Sequence, residues 1–586
     1  MKKTVTILLT LALLLALAGC ESAVPSAPGG AKPKETALPL EELPPVEPAE
    51  ELPDAAALLD ETFVDPLTGW EEYDRLIETA ETAADLSRRT EALHRAERML
   101  LATGAVVPLT QGGTAFRIRD GVSGVYADPL GAMQYMHAVL PAGMDTFRGQ
   151  LAAASSCPDP ALAHTPGELA LAANFFTGLY VFDADGRTVP ACAESYEISE
   201  DGCTYTVHLK KDAIWSDGSM LLAQDFAYAW NRAANLCPAE YAYLFQDFEG
   251  YGTGEISVWA MNNQTLVFTL TAPCADMETR MAMACFAPVK EASTKRYAGW
   301  PSDPGNWCRE AGFICNGPYI ATSRIQNGVL TTRKNLWWYD ADSVTADFQE
   351  LLLTTDPLEA GNAFRSGALD AAETVSDSAG GEELGRSGKL SAAAAVFRLD
   401  SPLFAGKTPE QAACLRQALS LLIDRSYLCE NVSAPGSAPA GGIVPDCVSD
   451  GQGGLFRDGA AVDDPAAIRD AYEDTMERVR LLLRAAGYRF DDDGRLSPET
   501  PLSFLCLTDT DPVRVAVSEA VQADFFLLGI RMSIDQQEAG GYRAGLEAGN
   551  YDLLCHVELA SKVNDPLALL RLFTTRGELN LPGFGD

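Results

Sequence analysis

Residues able to do chemistry are present in this chain, but not at spacings that assemble a catalytic centre. Its five His residues form no HExxH pair, and neither a GxSxG elbow nor a Walker-type phosphate loop occurs. The acidic run Asp491-Asp492-Asp493 reads as a solvated turn rather than a general acid and base. A sugar hydrolase needs only two carboxylates across a cleft, which leaves no spacing signature. A secreted glycoside or peptide hydrolase therefore stays open as an alternative, as does a non-transport surface sensor or scaffold. The residues call for no catalytic group, metal or cofactor. The 14 Cys are scattered without CxxC or tight ligand spacing. Several, such as Cys274 and Cys285, read as small apolar core residues, and none to two disulfides are expected.

Cys20 is different, because it closes the segment MKKTVTILLTLALLLALAGC. Lys2 and Lys3 give a positive start, Val5 to Leu17 an apolar core, and Leu17-Ala18-Gly19-Cys20 an ending that resembles a bacterial lipobox. The core is shorter than the roughly 20 residues that span a bilayer. Residues 1–20 are therefore expected to be a lipoprotein signal, with Cys20 acylated as the first mature residue. Two or more acyl chains hold a protein on a membrane where one barely does. The expected location is the bacterial cell membrane, lipid-anchored and exposed outside the cytoplasm.

The rest of the composition bounds the class. A chain of 586 residues exceeds one compact core, so two to four domains are expected. With 44 Lys plus Arg against 82 Asp plus Glu, the net charge of -38 leaves no basic surplus for nucleic acid. Only one long apolar run exists, which excludes a many-spanning membrane protein. Residues 21–56, rich in Pro and Glu, cannot offset their chain entropy by burial and read as a disordered tether.

Beyond the tether the periodicity alternates. Tyr73, Leu76, Ile77 and Ala80, then Leu86, Leu93, Ala96 and Leu100, recur at helical spacing, and Gly104 can stop the second helix. Val106 to Leu109 reads as a buried strand, and Leu171 to Tyr180 as a helix. Thr204 to Leu209, Leu266 to Leu270, Leu502 to Leu507, Ile530 to Ile534 and Tyr551 to Cys555 read as strands. Asp225 to Arg232, Leu415 to Leu428 and Glu477 to Ala486 read as helices, the last stopped by Gly487. This alternation predicts α/β units with mixed sheets.

Several segments carry a resemblance. They are FFTGLYVFDADGRTVPACAESYEISEDGCTYTVHLKKDAIWSDGSMLLAQDFAYAWNRA (Phe175 to Ala233), NGPY (Asn316 to Tyr319), LRQALSLLIDR (Leu415 to Arg425) and LLRAAGY (Leu482 to Tyr488). NYDLLCHVELASKVNDPLALLRLF (Asn550 to Phe573) completes the set, and WSDG followed by QDFxYxW is the most specific signal. Together they resemble the oligopeptide- and dipeptide-binding proteins that serve bacterial ABC importers. The resemblance implies a type II periplasmic-binding-protein-like α/β fold, with two lobes, a hinge cleft and an additional smaller domain. It implies no catalysis, a peptide or other small solute as ligand, a membrane permease as partner, and a monomer.

The order of the segments departs from the family. Residues 71–109 look like the family's C-terminal helices and strand, and residues 121–138 like its closing stretch, yet both come first here. SSCPDPALA, Ser155 to Ala163, looks like the family's opening segment. A circular permutation is therefore expected, which needs original termini close together and new ones in an exposed loop. The expected division is 57–103 as the helical part of lobe II, 104–182 and 295–398 as lobe I, 183–294 as the additional small domain, and 399–586 as the main part of lobe II.

Site residues follow from the same resemblance. Backbone partners come from loops near the opening segment and from the segment before Asp565-Pro566, where the family carries a carboxylate for the ligand ammonium. Here that position holds Lys562, which would repel an ammonium. Glu558 or Asp565 is then expected to take over, with Asn564 beside it, or else the solute presents a carboxylate or a blocked terminus. Arg398 and Asp400, after a strand-like AVF at the border of two lobes, are expected to line the cleft. Arg416, opening a helix, is expected to meet a ligand carboxylate, to stay solvated or to bridge the core. Trp215 and Trp230 are expected to pack the small domain rather than stack on ligand.

Overall fold

A computed structural model describes residues 52–585 apart from 84, 154–156, 297–300, 324–327, 374–382, 460–471 and 562. The expected signal, Cys20, most of the tether and Lys562 lie outside the described residues.

Two amphipathic helices, α1 (Glu71–Thr82) and α2 (Leu86–Ala102), come first. Their buried residues, Tyr73, Ile77 and Ala80, then Leu93, Ala96 and Leu100, keep the 3.6-residue period. The Asp85 carboxylate caps α2 by accepting from the amides of Ser87 and Arg88. Gly104, at φ 63, turns the chain where a Cβ would stand 2.9 Å from the Arg416 Cβ.

The strands that matter, in chain order, begin with β1 (Val106–Ile118) and β2 (Thr146–Leu151). A small antiparallel sheet follows, made of β3 (Ala193–Ile198), β4 (Thr204–Leu209), β5 (Val258–Asn262) and β6 (Thr265–Thr269). Next come β7 (Tyr319–Ala321), β8 (Val329–Lys334), β9 (Phe348–Leu353), β10 (Ala371–Ala372) and β11 (Glu383–Phe397). β12 (Ala438–Pro439), β13 (Ser503–Thr508), β14 (Arg531–Gln536) and β15 (Leu553–Ala560) end the series. The large sheet runs β7-β8-β9-β2-β10-β1-β11-β15-β13-β14, with β12 beside β1. At its centre β1 and β11 pair antiparallel from Val106↔Val396 to Ile118↔Glu383. These two long strands carry the chain from one half of the molecule to the other.

The cores divide accordingly. One apolar cluster runs from Phe116 to Ala371 and joins the first half to the small sheet and the helix packed on it, where Trp215 and Trp230 are fully buried. A second gathers Val107 and Leu109 of β1 with Leu415, Leu419, Leu483 and Val521. A third gathers Trp70, Tyr73 and Leu93 with Leu554, Leu569, Phe573 and Phe584. β1 passes between the halves, giving Phe116 and Ile118 to the first cluster and Val106, Val107 and Leu109 to the other two.

The N-terminal helices are thus bound to the C-terminal part of the chain. Trp70 stacks on Phe584 at 4.0 Å, and its Nε1 donates to the Phe573 carbonyl at 2.9 Å. Tyr73 donates to the Leu570 carbonyl at 2.7 Å, and the Gly585 amide to the Pro66 carbonyl at 2.9 Å.

Three helices need later mention: α3 (Pro166–Ala173), α4 (Ala223–Leu236) and α5 (Pro409–Leu422). The expected helix Leu171 to Tyr180 is displaced: α3 starts at Pro166, where Thr165 and Glu168 form a capping box with Pro166 in the first turn, and it ends at Ala173, while Tyr180 opens a short strand. The expected helix Leu415 to Leu428 is two helices, since Asp424 leaves the helix to cap the Tyr427 amide.

Candidate functional site

The candidate site grows from an irregularity in the central strand pair. β1 and β11 lose register between Gln111 and Gly113, so the three residues Lys389, Leu390 and Ser391 face the single Gly112. A bulge of this kind re-aims side chains. A Cβ at Gly112 would come 2.1 Å from Ser391 Oγ, so the glycine is what lets the strands approach here.

Lys389, Leu390 and Ser391 form one wall of a cavity of about 300 Å³. Ala560 and Ser561, at the end of β15, extend that wall; Ser391 is the register partner of Ala560, and the Ser561 amide donates to the Leu390 carbonyl at 2.9 Å. The opposite wall holds His164, Pro166 and Leu169 around the start of α3, with Tyr241 from the small domain. Tyr241 donates to the His164 carbonyl at 3.2 Å, and His164 Nδ1 lies 3.0 Å from Glu168. Pro129 and Leu130 close the end, the Pro129 carbonyl accepting from the Leu390 amide.

β15 is paired along its whole length on one edge only. β11 covers that edge from Leu553 to Ala560, whereas β13 meets the other edge at Leu553 alone. Among the described residues, no strand pairs with the outer edge of residues 556–560. Its exposed side chains are Glu558 and Ala560, which share one face.

A larger cavity, about 770 Å³, lies among α2, the start of β1 and α5. Two of its three basic groups are committed to backbone: Arg425 Nε donates to the Pro108 carbonyl and Arg478 to the Leu58 carbonyl. It is confined to one half of the molecule, so the smaller cavity between the halves is the better candidate.

The sequence from Arg187 to Asn580 matches the family model described as bacterial extracellular solute-binding proteins, family 5 Middle, over residues 187–580. The chain belongs to this family. It is 26% identical over 442 residues to the periplasmic oligopeptide-binding protein OppA of Escherichia coli (strain K12), covering 72% of this chain and 76% of that one. It is likewise 26% identical over 416 residues to the oligopeptide-binding protein OppA of Bacillus subtilis (strain 168), covering 68% and 72%. Among solved structures, the unliganded open form of MppA, a periplasmic murein tripeptide-binding protein, superposes with a TM-score of 0.60 at 23% identity, covering 76% of this chain and 84% of that one. The fold is that of the type II periplasmic binding proteins, as the sequence implied.

Within this family 5 protein, the residues singled out from sequence are dispersed. Glu558 stands on the open face beside Ala560. Asp565 is nearly buried and holds Arg89, while Asn564 is buried and accepts from the Ser449 amide at 2.8 Å. Neither lines the cavity. Arg398 pairs with Asp400 past the end of β11, on the order of 20 Å from Ser391 at about 3.3 Å per residue. They stand away from this cavity, because the strand runs on before these residues appear. Arg416 is fully buried, donating to the Thr103 carbonyl at 2.8 Å and lying over the Phe404 ring. Burial pushes its guanidinium down to about 9, opposed by Asp65. It bridges the core, one of the three roles its sequence allowed. Lys389 and Ser391 were not singled out, because the bulge that exposes them depends on strand pairing.

Proposed function

We propose that this chain is the solute receptor of an ABC importer, taking up an extended peptide in the cavity between α3 and β15 and passing it to a membrane permease. The observation that carries this reading is the unpartnered outer edge of β15 beside that cavity. An edge of free amides and carbonyls pairs with any peptide backbone, and so serves a receptor without sequence preference. The printed names of the relatives, oligopeptide-binding in both OppA proteins, agree with it.

Within the site, Glu558 is the carboxylate we place against the solute's ammonium, since Asp565 is occupied by Arg89. Lys562 disfavours an ammonium at the position where the family carries its acid. Acylated Cys20 anchors the receptor at the membrane, and the packing of residues 66–109 against residues 390–585 supports a circular permutation.

Isothermal titration with a short-peptide library tests the reading, with a parallel assay for hydrolysis. Stoichiometric binding without turnover is expected, and Glu558→Gln weakens free-ammonium peptides without affecting their N-acetylated forms. Turnover of peptides or glycosides overturns the receptor reading in favour of a hydrolase. Mass spectrometry of the membrane fraction tests the anchor, through an acylated Cys20 peptide.

A further inference from the structure

Three sulfurs meet in the core of the second half. Cys506 on β13, Met532 on β14 and Cys555 on β15 stand on adjacent strands of the large sheet. The Cys506 and Cys555 sulfurs are 3.3 Å apart, and the Cys555 sulfur is 3.9 Å from that of Met532. All three residues are buried, at 0, 1 and 4% exposure for Cys506, Cys555 and Met532. The helix Pro512–Leu527 packs over them, with the Ser518 hydroxyl 3.7 Å from the Cys506 sulfur. A bulge brings Cys555 to this face. β15 loses register with β11 so that Cys555 and His556 together face Ala395. Cys555 thereby joins the core of Cys506, while Leu554 and Val557 join the other.

Buried thiols are ordinarily small apolar core residues, but this spacing suits a metal. Sulfurs bound at about 2.3 Å to one ion stand about 3.8 Å apart at a tetrahedral angle and about 4.0 Å at a trigonal one. The observed 3.3 and 3.9 Å lie within about 0.5 Å of the tetrahedral value, a gap that side chains can close while the strands stay in place. A disulfide would need the strands to move, because Cys506 is in register with Leu553, two residues before Cys555. Among the described residues, no three His, Cys, Asp or Glu side chains are placed to hold a metal, so the four donors of a structural zinc are not assembled. Two thiols and a thioether select a soft ion that accepts few ligands. We propose that Cys506, Cys555 and Met532 hold one cuprous ion, in a site separate from the solute cavity and independent of the peptide reading. On binding, two S–H bonds are exchanged for two Cu–S bonds. Both protons leave to water, copper stays +1, and the thioether lends a lone pair. The centre carries one net negative charge into the core, so the ion enters as the chain folds, before the helix closes over the site.

The test is anaerobic refolding of the full chain from urea with Cu(I) under reducing conditions, followed by competition against a chromogenic cuprous chelator. Wild type is expected to keep one copper ion per chain, with a sulfur-to-copper charge-transfer band in the near ultraviolet and a raised Tm. Cys506→Ala and Cys555→Ala each lose that ion, whereas Cys157→Ala, in the other close thiol pair, keeps it. Met532→Leu holds it about tenfold more weakly, the lower end of what a supporting group contributes. The site is overturned if wild type yields all its copper to the chelator, or if Cys506→Ala and Cys555→Ala retain as much as wild type. Should the alanine variants fail to fold, Met532→Leu, which keeps the volume, decides: a weaker hold supports the site and an unchanged one overturns it.

Discussion

Arg89 and Asp565, 476 residues apart, share one two-pronged ion pair: Arg89 Nη2 lies 2.8 and 2.7 Å from the two carboxylate oxygens. The side chains are 3% and 11% exposed. The pair fastens α2 to the turn after β15, and it removes Asp565 from the groups that could meet a solute. Arg89→Met leaves that carboxylate buried without its cation. A loss of about 3 to 5 kcal/mol is expected, read from the midpoint of urea unfolding. Asp565→Asn, by contrast, leaves peptide affinity unchanged.

The hydrogen bond from Gly585 to Pro66 makes the permutation testable by reversing it. Joining residue 585 to residue 66 through a short Gly-Ser linker and opening the chain at Gly143 would give the segment order that the resemblance to the family implies. Gly143 sits in an exposed turn at φ +90 with nothing near its missing Cβ, which suits new termini. The reversed chain is expected to fold with an unchanged circular dichroism spectrum and a Tm within a few degrees of the parent. A chain that remains unfolded counts against the permutation.

Much of this architecture is legible in local sequence, because it depends on neighbours within one turn or one strand. Thr204–Leu209 falls where its alternation places it, and the WSDG and QDF signals meet in one bond, Trp215 Nε1 donating to Asp225 at 3.0 Å. The start of α3 is written in Thr165-Pro166-Gly167-Glu168, a capping signal that the apolar run after it outweighs. The site is harder to read. Lys389 faces the cavity because β11 slips against a strand more than 270 residues earlier, and Ala392 to Ala395 offer no alternation to fix the register. Arg398 and Asp400 show the complementary limit: polar residues after an apolar run mark the end of a strand, not which end meets the cleft.

Glu278 of the small domain faces Asp450 across the gap to the second half of the chain. Burial, with the Asp450 charge behind it, pushes Glu278 up to about 7 from an ordinary 4.5. The folded chain therefore holds this proton more tightly than the unfolded chain. The associated stability is complete below about pH 4.5 and is lost as pH rises through 7. Asp128 and Asp524, each raised to about 6 by burial, act in the same sense. A difference curve isolates Glu278: the Tm of wild type falls more steeply than that of Glu278→Gln between pH 5 and 8. Parallel curves remove Glu278 as a source of the slope.

Cys157 and Cys308 approach to 3.7 Å between sulfurs, one on the segment leading to α3 and the other on a short turn beside Trp307. The Cys308 hydrogen bond holds the Cys157 thiol below its ordinary value, which favours the thiolate that starts disulfide exchange. Cys506 and Cys555 are closer, at 3.3 Å, yet less able to join. They lie on adjacent parallel strands with Cys506 in register with Leu553, two residues before Cys555. That offset puts their Cα atoms roughly 8 Å apart, beyond the reach of a disulfide without moving the sheet. Under an external thiol oxidant, Cys157 and Cys308 give two protons and two electrons to the oxidant's disulfide, which leaves as the dithiol. The product is expected to lose about 2 Da and to show a 157–308 cross-link in non-reducing peptide maps. Closing so long a loop raises stability by at most about 5 kcal/mol. Cys157→Ser abolishes both the cross-link and the gain in Tm. A bond mapped to Cys506 and Cys555 instead would show that sulfur proximity outweighs strand geometry.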